Sequence, residues 1–341
     1  MAGSGAITAS TEQSPCRPDM AKDTAAQRVD KHAMLANVAL LYYGEGLTQG
    51  DIARRMRVSR ATIVGMLREA REAGIVDIRV DGRSLAGSTL SHDLRQAWGL
   101  DDVYVAECGE ATARPGMLRQ LGRVAAIALT ELVRPQDRVG VAWGETVRAM
   151  SEQMPRTETT GVRVYQMIGS MMSDSVPTSE SCAIQIANML GAECSTLHAP
   201  ALGSTAEVAA LFRAEPTIRA QLGALQALDL TVASIGHVGD ETHLARARMA
   251  SGPEMRAARA AGAAGILCCR FVDAAGRALA LPPDARLLAA ELDSIRRART
   301  RLLVVGGTDR LAATIAAIRG GYVSHLCVDG TLARALLGAA R

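Results

Sequence analysis

Aromatic residues are scarce in this chain of 341 residues, which contains only 2 Trp, 5 Tyr and 2 Phe. Hydrophobic residues nevertheless make up 48% of the sequence, so the material for a core is present. Such a core must be built from Ala, Val, Leu, Ile and Met instead of large rings. Because the length exceeds that of a typical single domain, we expect two domains.

A strong charge of one sign and long apolar runs are also missing. The formal net charge is only +3, which excludes a basic coat over the whole surface and leaves room only for local binding to nucleic acid. No run approaches the ~20 apolar residues that span a bilayer, and the N-terminus has no signal-peptide core. We therefore expect a cytoplasmic protein without a membrane partner.

The seven cysteines lack the spacing of a metal site. No C-x-x-C pair is present and no His follows at ligand spacing, so we expect neither a zinc site nor another metal or cofactor. The odd number of cysteines favours a reducing compartment. Cys268 and Cys269 are adjacent within an apolar segment, where buried free thiols are favoured and a redox switch is the alternative.

Residues 47–67 have the pattern of two short helices joined by a tight turn. Thr48 and Ser59 are suitable N-caps, and apolar residues recur at helical spacing after each of them. This pattern is typical of a helix-turn-helix, in which the second helix enters the major groove of DNA. An ordinary helical hairpin with a solvated arginine face is the alternative.

The surface of this helix pair carries the residues that we expect to contact DNA. Six arginines and three acidic residues lie between Gln49 and Glu72, a local positive excess that suits phosphate binding. Side chains in the first turn of the second helix are placed to reach base edges. The predicted DNA-binding residues are Gln49, Ser59, Arg60, Ala61, Thr62, Gly65 and Arg68.

We expect the chain to divide into a disordered tail (residues 1–30), a helix-turn-helix domain (31–82, with a short strand at 75–80) and a larger domain (84–341). In the last of these, β-branched runs alternate with Ala-rich helical stretches, which predicts an α/β, Rossmann-like domain with a mostly parallel sheet covered on both faces. The predicted strands are 103–106, 139–142, 162–167, 230–235, 265–272, 302–305 and 325–328. The predicted helices are 117–133, 146–154, 179–190, 206–212, 291–296, 310–318 and 331–337.

Polar, glycine-containing loops follow several of these strands. In parallel sheets, ligands bind beyond the carboxyl ends of the strands, where loops meet helix N-termini. Four such loops could converge on one sugar-sized ligand, although each alone is equally typical of a structural turn. The residues expected to bind the effector are Gly144, Glu145, Thr146, Gly169, Ser170, His237, Asp240, Gly306, Gly307 and Arg310.

Spaced motifs over residues 32–341 resemble the SorC family of bacterial transcriptional regulators, also described as sugar-binding and DeoR-like. The motifs are Leu47-Thr48-Gln49-x2-Ile52-Ala53, Val58-Ser59-Arg60, Arg68-x-Ala70-Arg71-x2-Gly74-Ile75-Val76, Gly140-Val141-Ala142-Trp143-Gly144, Arg270-Phe271-x-Asp273-x2-Gly276, Gly306-Gly307, Ala316-x-Ile318-Arg319-Gly320-Gly321 and Asp329-x-Thr331-x-Ala333-Arg334-x-Leu336-Leu337.

This resemblance implies an effector domain related in fold to sugar-phosphate isomerases. It also implies a homo-oligomer, a dimer or more often a tetramer, whose binding to operator DNA responds to a sugar, a sugar phosphate or a sugar alcohol. Two positions depart from the pattern of many members, because Ile266 stands in place of Asp and Arg310 in place of Lys. In the second helix, Val64-Gly65 replaces a common Ser-Arg pair.

We therefore expect a DNA-binding regulator, a repressor of a carbohydrate or polyol operon, and not an enzyme. The alternative is an isomerase-like enzyme acting on a sugar phosphate, which would need a positioned general base. Glu145, His237 and Asp240 are the candidates for that base, but none of them lies in a recognisable catalytic motif, so no catalytic residue is predicted.

Overall fold

A computed structural model describes residues 20–76, 86–108, 112–171, 178–239, 242–247 and 249–340. The chain forms two compact units, Met1–Val80 and Asp81–Arg341. Each unit has its own hydrophobic core and is described by itself below.

The first unit is helical. Its elements are α1 (Met20–Ala39), a single π-helical turn (Leu40–Gly44), α2 (Gln49–Met56) and α3 (Arg60–Glu72). Helix α1 includes residues 20–30, the last part of the predicted disordered tail. Met, Ala, Lys, Gln and Arg, which favour helices, make up seven of these eleven residues. Residues 1–19 and most of the strand predicted at 75–80 (residues 77–80) lie outside the described residues.

The predicted N-caps of α2 and α3 are confirmed. Thr48 Oγ1 accepts a hydrogen bond from Asp51 N at 3.2 Å, and Ser59 Oγ accepts one from Thr62 N at 3.0 Å. Arg57 ends α2 in the left-handed conformation (φ 56°), so the chain reverses within a few residues. The two helices are therefore separated by a tight turn.

The apolar stripe predicted from the spacing forms the core of this unit. Ile52 and Ala53 of α2 pack with Ile63 and Leu67 of α3 against Val38 of α1. Because these residues fill one side of α3, its other side is left exposed to solvent.

The second unit contains the strands. They are β1 (Asp102–Ala106), β2 (Arg138–Val141), β3 (Arg163–Gln166), β4 (Glu193–Ser195), β5 (Leu230–Ala233), β6 (Ile235–Gly236), β7 (Ala263–Leu267), β8 (Arg270–Asp273), β9 (Thr300–Val305) and β10 (His325–Asp329).

Helices connect these strands. They are α4 (Thr89–Trp98), α5 (Arg114–Leu132), α6 (Glu145–Ser151), α7 (Ser179–Leu190), α8 (Ala206–Ala214), α9 (Pro216–Ala224), α10 (His243–Arg246), α11 (Gly252–Ala260), α12 (Pro282–Arg286), α13 (Leu292–Arg297), α14 (Leu311–Arg319) and α15 (Gly330–Ala339), with 3₁₀ turns at Leu225–Ala227 and Thr308–Arg310.

Seven strands form a fully parallel sheet in the order β1-β10-β9-β5-β2-β3-β4, which confirms the predicted α/β class. From β2 the chain continues outward to β3 and β4, then returns to place β5 on the other side of β2. Such a reversal of strand order opens a crevice at the carboxyl ends of the two strands. The topology therefore predicts a ligand-binding crevice at the carboxyl ends of β2 and β5.

Both faces of the parallel sheet are buried. In β9, Leu302 and Val304 pack into one hydrophobic cluster, whereas Leu303 and Val305 pack into another on the opposite face. On the first face, helices α5 and α6 touch at Gly122. A Cβ atom at this position would overlap the carbonyl of Ala149, so only glycine permits this approach.

A second, antiparallel sheet of three strands has the order β6-β7-β8. It corrects two predictions, since the expected strand at 230–235 is divided into β5 and β6 and the one at 265–272 into β7 and β8. The turn between β7 and β8 consists of Cys268 and Cys269, both in the left-handed region (φ 47° and 64°). A two-residue hairpin turn requires this conformation but normally uses Asn or Gly, so the turn was missed.

The segment after β8 returns to helix α14 through a close backbone contact. Asp273 accepts hydrogen bonds from the backbone N–H groups of Ala275 and Arg277, which shapes the turn. Gly276 then adopts φ 78°, and a Cβ atom there would overlap backbone atoms of Ala316 and Gly320.

Within the described ranges, no helix is both long and apolar enough to cross a bilayer.

Candidate functional site

A small cavity of about 40 Å³ lies at the carboxyl ends of β2, β5 and β9, which are neighbours in the parallel sheet. This space holds one or a few water molecules and is partly open to solvent. Its lining residues are Trp143, Gly144, Glu145, Thr146, Ser234, Ile235, Gly236, Thr242, Leu244, Ile266, Cys268, Cys269 and Arg310. Four predicted effector-binding residues, Gly144, Glu145, Thr146 and Arg310, are therefore brought together here.

Gly144 lets the chain turn sharply between β2 and α6. Its backbone has φ 143° and ψ 161°, a conformation that is essentially restricted to glycine. A Cβ atom at this position would lie 2.9 Å from Ser234 Cβ, at the end of the neighbouring strand β5. Gly144 therefore shapes one wall of the cavity through its backbone.

Thr146 is tied into the protein by its hydroxyl group. The side chain is buried, its Oγ1 donates to the carbonyl oxygen of Val304 at 2.6 Å, and Ser234 Oγ lies 3.0 Å away. This hydroxyl therefore joins α6 to β9 and β5 and holds Ser234 in the cavity wall.

We expect Thr146→Val to destabilise the second unit by about 1–3 kcal/mol, because the buried carbonyl of Val304 would lose its donor. The free energy of unfolding in urea measures this loss. Thr146→Ser keeps the hydroxyl and serves as the control. Equal stability of the Val and Ser variants would contradict this role.

Glu145 lies between two arginines. Arg114 Nη2 is 2.6 Å from Glu145 Oε2, and Arg246 Nη2 is 3.7 Å from Glu145 Oε1. Both arginines are partly exposed to solvent, whereas the carboxylate is 27% exposed. A carboxylate thus occupies a cationic corner of the cavity, where an incoming anion would compete with it.

Arg310 is the buried cation of the site. Its side chain is only 9% exposed, and its Nη1 donates to the carbonyl of Gly306 and to the carboxylate of Asp309 at 3.0–3.1 Å. Burial lowers the pKa of the guanidinium, although the Asp309 carboxylate opposes this effect. Within the described part of the chain, the side-chain hydrogen bonds of Arg310 are made through Nη1.

Gly306 and Gly307 position Arg310 without lining the cavity. Gly307 adopts φ 96°, and its N–H donates to Asp329 Oδ2 at 2.7 Å. Asp329 is buried and also accepts from the backbone of the first turn of α15. The loop that carries Arg310 is thereby fixed to the end of β10.

The remaining predicted residues lie elsewhere or outside the described residues. His237 Nδ1 accepts from Gly239 N at 2.9 Å, and its Nε2 is 3.7 Å from Asp309 Oδ2, so it adjoins the Arg310 loop without lining the cavity. Asp240 lies outside the described residues.

Gly169 and Ser170 also do not line the cavity. Gly169 N donates to Leu288 O, and Ser170 N donates to Ala199 O, so this segment is paired with neighbouring backbone. Ser170 Oγ additionally donates to Glu180 at 3.2 Å. The chain after β3 therefore leads away from the cavity, although β3 is adjacent to β2.

The apolar wall of the cavity was missed because the small sheet supplies most of it. Ile235 and Ile266 come from β6 and β7, and the two turn cysteines follow β7. Trp143, which directly follows β2, also contributes to this wall. Ser234 was missed because it lies inside the strand predicted at 230–235, whereas β5 ends at Ala233. Among the described residues, no group of three or more His, Cys, Asp or Glu side chains could hold a metal ion.

Most of the predicted DNA-binding residues of the first unit are exposed to solvent. Ser59, Arg60, Ala61, Thr62 and Arg68 are exposed, whereas Gln49 and Gly65 are partly buried. Arg60 Nε donates to Gln49 Oε1 at 3.4 Å, which links the first residue of α3 to the first residue of α2. A Cβ atom at Gly65 would touch nothing within 4 Å, so packing does not require glycine there.

Comparison with known proteins places the whole chain among regulators. The family model described as "Putative sugar-binding domain" matches residues 84–338. The uncharacterized transcriptional regulator YjhU of Escherichia coli K12 is 34% identical over 301 residues, which cover 87% of this chain and 92% of the relative. The sorbitol operon regulator of Klebsiella pneumoniae is 25% identical over 90% of this chain and 98% of the relative.

Solved structures give the same result for the fold. The crystal structure of the full-length sorbitol operon regulator SorC from Klebsiella pneumoniae has a TM-score of 0.68 and 25% identity, and covers 90% of this chain and 99% of that chain. A DeoR family transcriptional regulator from Listeria monocytogenes has a TM-score of 0.67 at 17% identity, over 72% of this chain and 98% of that chain. The latter likeness shows the shared fold alone.

Proposed function

The chain belongs to the SorC family of bacterial transcriptional regulators, and on this premise we propose that it binds operator DNA under the control of a small effector. The effector is a sugar, a sugar phosphate or a sugar alcohol. The regulator represses an operon for carbohydrate or polyol catabolism and acts as a homo-oligomer, a dimer or a tetramer, because paired half-sites on DNA match paired subunits.

Arg310 is the observation that carries the effector part of this proposal. A guanidinium that is 9% exposed loses hydration, and its hydrogen-bonded partner Asp309 is 49% exposed and only partly compensates it. A buried arginine at the ends of parallel strands suits a phosphate or another anion. The effector favoured by the site is therefore a phosphorylated one.

Helix α3 of the first unit is the proposed recognition helix of a helix-turn-helix. Its exposed face carries Arg60, Thr62 and Arg68, and its opposite face is buried. Glycine inside a helix costs about 1 kcal/mol relative to Ala, and no packing contact accounts for Gly65. Close approach of DNA to the helix at Gly65 would explain this residue.

Arg60→Ala should weaken specific operator binding by about 1–3 kcal/mol, because a bidentate arginine contact to a base edge contributes that much discrimination. Gel-shift titration with operator DNA and with a scrambled duplex measures the effect. Arg71→Ala removes another exposed arginine of α3, in its last turn, and is the matched control. An equal loss in both variants, or no loss in either, would contradict base reading by Arg60.

Effector binding changes the affinity for DNA only if the effector binds the two functional states with different affinities. The narrow cavity offers a basis for such a difference: we infer that a bound sugar phosphate displaces the polar residues that follow β2 away from the hairpin of β7 and β8, which stays in place. The state with separated walls is therefore the effector-bound state.

We further propose that the cavity binds its ligand without catalysing a reaction of it. Glu145, the carboxylate in its wall, is already engaged by Arg114 and Arg246. The experiment combines a thermal-shift screen of free and phosphorylated sugars and polyols with a turnover assay on every hit. A rise in melting temperature without product supports a regulator, whereas product formation above background would support an enzyme.

A further inference from the structure

The cavity at the strand ends has two walls of different chemistry. Residues that follow the parallel strands, such as Glu145, Ser234 and Arg310, supply charged and hydroxyl groups. The facing wall is apolar and comes mainly from the small antiparallel sheet, through Ile235 of β6 and Ile266 of β7. A ligand in this cavity therefore meets an anion-binding side and an apolar side.

Ile266 cannot withdraw from the cavity wall. It pairs with Gly236 of β6 and is 7% exposed. The adjacent Gly265 lies against helix α14, where an added Cβ atom would be 3.0 Å from Ile235 Cδ1 and 3.2 Å from Ala313 Cβ. Strand β7 is thus packed against the helix that begins directly after Arg310, and the Ile266 side chain is held in the cavity wall.

The two cysteines extend the same apolar wall. Both belong to a two-residue turn whose positive φ angles leave little conformational choice, and both are less than 5% exposed. Burial raises the pKa of the Cys268 thiol to about 12, so it remains a neutral thiol at physiological pH. Neutral buried thiols are weak hydrogen-bond partners and pack like small apolar groups.

A sugar hydroxyl against this wall would lose its hydrogen bonds to water without replacement, whereas a methylene or methyl group would gain apolar contact. Building on the effector site proposed above, we propose that the effector is a phosphorylated sugar or polyol with a deoxy or methyl carbon facing Ile266. In this arrangement Arg310 binds the phosphate, and Ile266 is the residue that determines specificity against a hydroxyl group.

Calorimetric titration of the full-length protein with matched phosphates tests this proposal. The pairs are ribose 5-phosphate with 2-deoxyribose 5-phosphate, glucose 6-phosphate with 2-deoxyglucose 6-phosphate, and fructose 1-phosphate with 6-deoxyfructose 1-phosphate. Wild type should bind the deoxy member of at least one pair about tenfold or more tightly than its hydroxylated partner.

Ile266→Thr and Ile266→Val form a matched set of variants. Both substitutes are β-branched and nearly equal in shape, so both suit strand β7, but only Thr offers a hydroxyl to the ligand. The Val variant should keep the wild-type preference for the deoxy compound. In the Thr variant, the ratio of the dissociation constants of the hydroxylated and deoxy compounds should fall about tenfold. Melting temperatures without ligand verify that both variants fold.

Equal affinity of wild type for both members of every pair, or identical preferences of the Val and Thr variants, would overturn the role of Ile266 while leaving a phosphate site in place. Absence of binding heat for all six phosphates would contradict the phosphorylated effector itself. The two failures are therefore distinguishable in one set of titrations.

Discussion

Arg310→Met should remove most of the affinity for a phosphorylated effector while leaving the second unit folded. Truncating one partner of a buried, hydrogen-bonded charge pair costs about 2–5 kcal/mol, which corresponds to a Kd raised by at least about 30-fold. Folding should not suffer to the same extent, because burial already disfavours this cation. Its partner Asp309 is 49% exposed and can be hydrated when left alone.

Calorimetry with the sugar phosphate that stabilises wild type most, and the melting temperature without ligand, measure the two expected effects separately. Arg310→Lys keeps the charge but loses the planar fork, so we expect an intermediate loss of about tenfold or less. Wild-type affinity in the Met variant would show that Arg310 does not contact the effector. A lowered melting temperature with unchanged affinity would instead make Arg310 a structural residue.

Gly276→Ala should destabilise the second unit by about 2–4 kcal/mol. Two costs add at this position. A left-handed backbone (φ 78°) costs a residue with a Cβ atom about 1 kcal/mol, and overpacking against rigid backbone costs about 1–3 kcal/mol beyond that. The atoms that a Cβ would meet belong to the backbone of Ala316 and Gly320, which cannot swing aside as a side chain can.

Gly262→Ala is the matched control for this substitution. Gly262 also has a positive φ, 84°, but a Cβ atom there would meet nothing within 4 Å, so only the conformational cost of about 1 kcal/mol remains. Urea unfolding of both variants isolates the cost of the overlap as their difference. Equal destabilisation would show that the turn relaxes and that close approach of the two backbones is not required.

Local sequence signals predicted most of the parallel sheet and its helices. The predicted helix 179–190 agrees with the structure because Thr178 caps its start and Gly191, in a left-handed conformation, ends it. Signals of this kind are contained in a few neighbouring residues. Strand β4 (Glu193–Ser195) was missed because it has three residues at a sheet edge and no apolar alternation.

Only the part of the candidate site that follows the carboxyl ends of the parallel strands could be predicted from the sequence. Gly144, Thr146 and Arg310 follow strands that prove to be neighbours, so the strand-end rule found them. Gly169 obeys the same rule but lies outside the cavity, since pairing with the segments at Leu288 and Ala199 decides its place. The apolar wall depends on where a hairpin packs, and its Cys-Cys turn gives no turn signal in the sequence.

The contact at Gly122 has a mechanical consequence for the second unit. Helices α5 and α6 touch through backbone at their middle, while Arg114 holds Glu145 at one end of the contact and Arg123 Nε donates to Gln153 Oε1 at 3.1 Å near the other. These three attachments tie α6 to a helix of 19 residues, about 28 Å long at 1.5 Å per residue, that is itself buried against the sheet. A ligand that displaces the start of α6 would therefore work against the packing of both helices.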